Sequence, residues 1–464
     1  MKTMSAVLSV LFLASYAPAV ERWTKTFGGS SDEFCTYVMQ TADGGYIVSG
    51  RTESFGAGSG DYYVVKTDVA GSMAWSKTYG TALDERDPVI QPTADGGYII
   101  VGAALVDSLG DIWLIKTNSS GDTLWSRKYP GANDHMGYVA MQTADGGYMI
   151  SGSTTSRGAG SSDVYLIRTD SLGDTLWTRT YGGADYEAGW AQPTADGGCI
   201  IWGWTSSFGA GSTDVWLVKT NSSGDTLWTR TYGGTGRDEG AMLRPTSDGG
   251  YVVAAYTWSR GAGESDVWLI KTNSSGDTLW TRTFGGTNYD EGYGVAQTAD
   301  SGYIITGQTQ SYGAGAEDVW LIKTNSSGDS AWTRTFGGTG SDMGMAVQQT
   351  TDGGYVVGAS TNSFGAGGND IYLIKTDGNG SLAVEEERAE PRVTAGSLRV
   401  ASTPFVSYTR VLGHEAEQFG FFDISGKLVG VCQGDRVGEK LSPGVYFVGP
   451  QGANSRSVRI VKAR

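Results

Sequence analysis

The chain is poor in the residues that carry most enzyme chemistry and most covalent cross-linking. Of 464 residues, two are histidine (His135 and His414) and three are cysteine (Cys35, Cys199 and Cys432). So few histidines exclude an HExxH zinc site and argue against a histidine-based triad. Three cysteines build no disulfide framework, no Cys-x-x-Cys metal pair is present, and the thiols read as inert. No phosphate-cradling glycine loop runs from a strand into a helix. Charged residues are 18% of the chain and sum to a net charge of −15. A nucleic-acid partner needs a basic footprint to displace counterions, so that class is excluded, and anionic membrane surfaces are disfavoured. Beyond the first residues no segment approaches the roughly 18 apolar residues that span a bilayer. At the N-terminus Lys2, the apolar stretch Ala6–Ala14 and the small-residue site Ala17, Pro18, Ala19 read as a cleaved secretory signal over 1–19.

Glycine, by contrast, is abundant, at 72 residues about twice the usual share, and aromatics reach 11%. Seven tryptophans keep a regular interval: Trp23, Trp75, Trp125, Trp177, Trp228, Trp280 and Trp332, separated by 52, 50, 52, 51, 52 and 52 residues. A period of this length marks one supersecondary unit copied along the chain, each copy burying its apolar face on its neighbours. Within the unit Trp280–Ala331, the alternating segment Trp280–Phe284 predicts a strand, and Tyr293–Thr298, Tyr303–Gln308 and Asp318–Thr324 predict three more. Asp-Gly-Gly between the second and third, as at Asp352–Gly354, supplies the positive φ that tight hairpins demand. Four-stranded sheets with two apolar faces need cover on both sides, and radial stacking of seven provides it. The predicted fold is all-β: a seven-bladed β-propeller of four-stranded antiparallel blades over 20–384. The strand Arg22–Phe27 is expected to complete the last blade, with Ser381–Glu385 as its competitor.

Three acidic series recur. Asp43, Asp95, Asp145, Asp196, Asp248, Asp300 and Asp352 precede glycine or its stand-in Ser301 and read as turn formers. Asp61, Asp111, Asp163, Asp214, Asp266, Asp318 and Asp370 precede the fourth strand and read as ties from one blade's loop to the next. Calcium is the alternative for that series, although no dense Asp-x-Asp-x-Asp-Gly ladder is present, and no cofactor is assigned. The third series includes Asp84, Glu85, Asp134, Glu187, Asp238, Glu239, Asp290 and Glu291, with His135 beside Asp134. It falls between the Trp strand and the inner strand, near one mouth of the channel. It reads either as a solvated acidic rim or as a ligand-binding ring with a carboxylate pair suited to glycoside hydrolysis. No catalytic residue is assigned. Departures from the repeat are further candidates: Leu105–Gly110 replaces the Ser-x-Gly-Ala-Gly loop of the other units, and Trp190, Trp202, Trp204 and Trp258 are extra aromatics. Surface aromatics stack on sugar rings, whereas core filling is the commoner fate of Trp.

After a charged linker, 385–392, the repeat stops. Alternating segments in 393–464 suggest a small Ig-like β-sandwich. Thr403, Pro404 and Phe405, then Phe419–Val429, Leu441–Phe447 and Arg459–Lys462 resemble the C-terminal sorting domain of the type IX (Por) secretion system, with Thr403 where that family usually has Asn. The resemblance implies export across the outer membrane of a Bacteroidetes-type bacterium and attachment at the cell surface, with the secretion machinery as a partner. The repeat Trp-Thr-Arg-Thr-Phe-Gly-Gly with Asp-Gly-Gly-Tyr resembles uncharacterised secreted bacterial and archaeal propeller repeats. Some of these carry hydrolase names such as endoglucanase through attached domains. A likeness to quinoprotein propellers stops at the vicinal cysteines, which are lacking here. The expectation is an exported, monomeric, non-enzymatic module that binds a glycan or protein at the cell surface. The alternative is a carbohydrate-active hydrolase using rim carboxylates.

Overall fold

A computed structural model describes residues 22–106 and 109–382, and in the C-terminal region 418–422, 428–433, 442, 444–450 and 458–462. The signal segment, the linker and the Thr403–Phe405 motif lie outside the described residues. The chain divides near residue 387 into two units. The first is a ring of seven four-stranded antiparallel sheets, and no helix occurs among the described residues. In blade 5 the strands run outward as Asp238–Pro245, Tyr251–Thr257, Asp266–Thr272 and Thr278–Phe284. The third strand is buried along its whole length, because neighbouring blades cover both of its faces; that is why Val267, Trp268, Leu269 and Ile270 form an unbroken apolar run. The outer strand carries only exposed and half-buried residues.

Trp23–Phe27 pairs antiparallel with Asp370–Thr376, Trp23 opposite Lys375, and so supplies the outer strand of blade 7. Blade 7 thereby gains its fourth strand from the other end of the chain, which fastens the ring shut. Tight closure also brings each inner strand against the preceding blade. A Cβ on Gly240, Gly292 or Gly344 would come within 3.0 Å of Val215, Val267 or Val319, so glycine sets the approach there.

The tryptophan interval becomes a belt around the ring. Each indole lies against the glycine of the next blade's outer turn: Trp23 on Gly71, Trp75 on Gly121, Trp125 on Gly173, Trp177 on Gly224, Trp228 on Gly276, Trp280 on Gly328 and Trp332 on Gly380. Those glycines have φ between +71° and +82°, the left-handed conformation the turn needs. Phenols close the same joint: the Tyr79, Tyr129 and Tyr181 hydroxyls donate to the carbonyls of Gly121, Gly173 and Gly224 at 2.6, 2.7 and 2.6 Å. Arg127, Arg179, Arg230, Arg282 and Arg334 each lie over the Trp of their own strand.

The hairpin series does more than turn the chain. Asp95 accepts from Gly97 N and Thr93 Oγ1 and pairs with Lys116 at 2.8 Å, and the same lysine pairing recurs at Asp43, Asp196, Asp248, Asp300 and Asp352. Each lysine ammonium also reaches a strand-end carbonyl, as Lys116 does with Thr117. The second series departs from its expected role. Asp61 accepts from Ala57 and Gly58 N–H, and Asp214 from Ala210 and Gly211. These donors belong to the same blade's loop, so the carboxylate shapes its own loop and does not tie it to the next blade. In blade 2 that loop is replaced by longer strands, Leu105 pairing with Gly110 and Val106 with Leu109.

The second unit contributes one described sheet, ordered Leu428–Gln433, Gln418–Phe422, Gly444–Pro450, Val458–Lys462, all antiparallel.

Candidate functional site in the central channel

The acidic ring sorts into distinct jobs. Glu33, Glu85, His135, Glu187, Asp238, Asp290 and Asp342 occupy one equivalent position, the first residue of each inner strand, and all are fully buried. This corrects the expected boundary, since the inner strand of blade 6 begins at Asp290 and not at Tyr293. The Glu187 carboxylate accepts from Thr205 Oγ1 at 2.7 Å, Ser207 N at 3.1 Å and Gly183 N at 2.8 Å. Asp290, one methylene shorter, instead draws in the Ser311 hydroxyl at 2.6 Å, together with Thr309 Oγ1 and Gly286 N. Glu187 and Asp290 thus fasten the crossing from the preceding blade to the first two strands of their own, whereas Glu85 holds only Thr81 of the crossing. Buried charge with both carboxylate oxygens hydrogen-bonded is a structural device. Blade 3 uses His135, whose Nε2 lies 2.6 Å from Ser156 Oγ and whose ring packs on Tyr165; burial, then Arg157, lowers its pKa. Glu85, His135, Glu187, Asp238 and Asp290 are therefore clamps, and the rim is narrower than the sequence suggested.

Asp84 is held between Arg51 at 2.7 Å and Arg86 at 2.6 Å, and Asp134 accepts from Gly110 N at 2.9 Å. Glu239 accepts from Tyr256 OH and Arg237 Nε, and Glu291 from Tyr293 OH and Gln308 Nε2. These last two carboxylates orient the phenols that face the channel.

The channel itself holds a cavity of about 260 Å³ lined by residues from all seven inner strands. Its wall follows from a sheet irregularity. Six inner strands carry an irregularity, five of them a bulge after the third residue and blade 2 a shift after the second, and a bulge re-aims the extra side chain. In five of those strands the re-aimed residue is Thr36, Tyr138, Ala241, Tyr293 or Met345, and all five line the cavity. Blade 4 lacks the bulge: its inner strand has 7 residues where blade 5 has 8, and Trp190 reaches the cavity from a regular strand. That deletion accounts for the 51-residue interval between Trp177 and Trp228. In blade 2 the irregularity is wider, and Asp87 takes a left-handed φ of 53°.

Aromatics gather on blades 3 to 6. Tyr138 packs on Trp190 with centroids 5.1 Å apart, and Trp190 on Trp204 at 5.6 Å. Tyr256 meets Tyr293 at 6.0 Å. All five line the cavity and keep part of their surface exposed. Trp258 joins a neighbouring group, packed on Tyr256 and Tyr289 beneath Arg237, while Trp202 is buried and donates to Ala241 O at 3.3 Å. Burial pushes the Tyr138 phenol up to about 12, so it stays a neutral donor. Sequence reasoning singled out Trp190, Trp204 and Trp258 but missed Tyr37, Tyr138, Tyr256, Tyr293 and Arg244. The usable signal was divergence at the fourth residue of the inner strand. Among the described residues no cluster of His, Cys, Asp and Glu is arranged to hold a metal. Cys35 and Cys199 are buried and unbonded, and burial pushes their thiols up to about 12 and 11.

No known family model matches the chain. The regulatory protein FlaEY of Caulobacter vibrioides is 30% identical over 141 residues, covering 25% of this chain and 15% of FlaEY. Puromycin hydrolase is similar over 91% of this chain and 59% of its own, with a TM-score of 0.50 and 12% identity. A PL25 ulvan lyase is similar over 79% of this chain and all of its own, at TM-score 0.47 and 11% identity. YCF48 bound to D1 peptide covers 80% and 99%, at 0.44 and 10%. The chain thus spans under two thirds of FlaEY and of puromycin hydrolase, and at these identities the structural likeness is one of fold. The molecule is a seven-bladed β-propeller.

Proposed function

We propose that this propeller is an exported, non-enzymatic binding module that takes the end of a glycan chain into the mouth of its central channel. The observation that carries the reading is the crescent of Tyr138, Trp190, Trp204, Tyr256 and Tyr293 around a cavity of about 260 Å³. Partly exposed aromatic faces offer flat apolar surface to the C–H faces of a pyranose. The phenol oxygens and Gln91 offer hydrogen bonds to its hydroxyls. The cavity has room for one or two sugar rings and not for a folded protein surface. Binding is favoured over hydrolysis by the lining, which contains no carboxylate; Glu239 and Glu291 stand behind the wall, engaged with tyrosines. Export through the signal segment and the C-terminal sorting module belongs to the same proposal. It rests on the sequence motifs and on the net charge of −15.

The test is a glycan array probed with the full chain and with Trp204→Ala. A defined set of glycans is expected to bind the parent, with at least tenfold weaker binding to the variant, the loss of one stacking aromatic anchor. Silence on every glycan, or binding indifferent to Trp204, would remove the basis of the reading. Reducing sugar released from a bound glycan would turn it toward the hydrolase alternative.

A further inference from the structure

The seventeen residues that line the cavity include one that is charged, and it is a cation, Arg244, in a chain of net charge −15. Arg244 is on the inner strand of blade 5, six residues beyond the clamp Asp238, which is about 20 Å along an extended strand. It therefore lies at the opposite end of the strand from the clamps, one residue before the strand ends at Pro245. Its Nη2 donates to Tyr37 OH at 3.0 Å, from blade 5 to blade 1, and its Nη1 makes a long contact of 3.4 Å with Leu243 O. It forms no ion pair with any described residue. Most other arginines of the ring have a carboxylate, as Arg51, Arg127, Arg230 and Arg282 do. A half-buried guanidinium with unused donors, in a cavity that Met141, Met242 and Met345 also line, has lost part of its hydration without gaining a counter-charge. Its planar fork matches a carboxylate in two-point fashion.

We infer that the channel is selective for acidic sugars, with Arg244 and the Tyr37 hydroxyl receiving the carboxylate of a terminal uronic acid while Trp190 and Trp204 stack on the sugar rings. This rests on the glycan-end reading above and adds the class of glycan. A uronate suits the site better than an acidic peptide. The flat aromatic walls and scattered polar partners of the lining fit a polyhydroxylated ring.

The experiment follows tryptophan fluorescence of the full chain during titration with cellobiouronic acid and digalacturonic acid, each beside its neutral counterpart, cellobiose and galactobiose, and with an aspartate-containing tripeptide. At least one acid is expected to bind about tenfold or more tightly than its neutral counterpart, the scale of a charge-assisted hydrogen-bond pair. Arg244→Met should erase that ratio while leaving neutral affinity within about twofold, and Arg244→Lys should restore part of it, because a point charge replaces the fork. Thermal midpoints of both variants establish that they are folded. Equal binding of acidic and neutral sugars, or a ratio unchanged in Arg244→Met, would overturn the acidic selectivity and leave the glycan reading standing. Binding of the tripeptide alone, or of none of these sugars, would overturn both.

Discussion

The belt and the channel wall are built by the same seven repeats and obey opposite rules. In the belt every indole meets a left-handed glycine of the next blade, and the contact recurs without exception around the ring. In the wall the equivalent position is Thr36 in blade 1, Tyr138 in blade 3, Trp190 in blade 4, Ala241 in blade 5, Tyr293 in blade 6 and Met345 in blade 7. The belt residue has a partner on the neighbouring blade, so a change in one copy breaks a joint. The wall residue borders the cavity, and its neighbours differ from blade to blade, as with Tyr138 on Trp190 and Tyr293 on Tyr256. Regularity in this molecule marks closure of the ring, and irregularity marks the surface free to meet a ligand.

The clamps give the sharpest test of that division. Asp290→Ala removes the acceptor for Thr309, Ser311 and Gly286 N–H in a fully buried place. Three donors stranded there should cost about 3–5 kcal/mol of stability, read as the denaturation midpoint in urea. Trp204→Ala, on the half-exposed wall, should cost no more than about 2 kcal/mol while weakening ligand binding at least about tenfold. If the two variants were equally destabilised, the separation of frame from wall would fail.

Next in size is the belt joint. A Cβ on Gly328 would sit 2.5 Å from the Trp280 ring, at a φ of +80°. Gly328→Ala should therefore lower stability by about 1–3 kcal/mol through backbone strain and displacement of the indole. The same exchange at Gly353, where φ is +83° but nothing lies within 4 Å, carries the strain alone, and the difference between the two variants measures the indole contact. No difference would mean that the belt contributes no packing.

Acid separates two of the carboxylate series. Asp95, Asp196 and Asp248 are held down at about 2, by the hydrogen bonds of Lys116, Lys219 and Lys271 first and of a threonine second. A depressed folded pKa stabilises above the unfolded value near 4 and is lost as pH falls through the folded value. The side chains are more than half exposed, so solvent screening keeps each contribution small. Asp163, Asp266 and Asp370 are shifted upward, first of all by burial, and protonating them favours the folded state. Stability should hold down to about pH 4 and fall between about 4 and 2. Asp95→Asn, Asp196→Asn and Asp248→Asn combined should flatten that fall in a series of urea midpoints. A loss already complete at pH 5 would assign the transition to other groups.

Blade number, strand order and the use of Trp23–Phe27 as a closing strand were legible because each is a property of the repeat, and seven copies of one sentence outweigh the ambiguity of any one. The clamps were misread as rim because sequence spacing cannot tell a carboxylate in a loop from one that opens a strand. Only the convergence of Thr205, Ser207 and Gly183 on Glu187 reveals its burial. Arg244 was invisible for a related reason. Its position carries no motif, and its meaning comes from the absence of any other charge among residues drawn from seven strands about 50 residues apart.

The smallest effect tests whether the belt's cations belong to the joint or merely decorate it. Arg282 lies 5.5 Å over the Trp280 ring and 3.1 Å from Asp329 of the next blade, the arginine half-buried and the aspartate exposed. An exposed ion pair is worth about 0–1 kcal/mol and is screened by salt, whereas contact with an aromatic face adds about 0.5–1 kcal/mol through a stem that also covers apolar surface. Asp329→Asn should therefore lower stability slightly at low ionic strength and not at all in 1 M NaCl. Arg282→Gln should retain most of its cost of about 1 kcal/mol in the same salt, since the ring contact is lost in either medium. A cost for Arg282→Gln that vanished in salt would make the guanidinium an ion-pair partner only, and the belt's packing would then reside in the indole and its glycine alone.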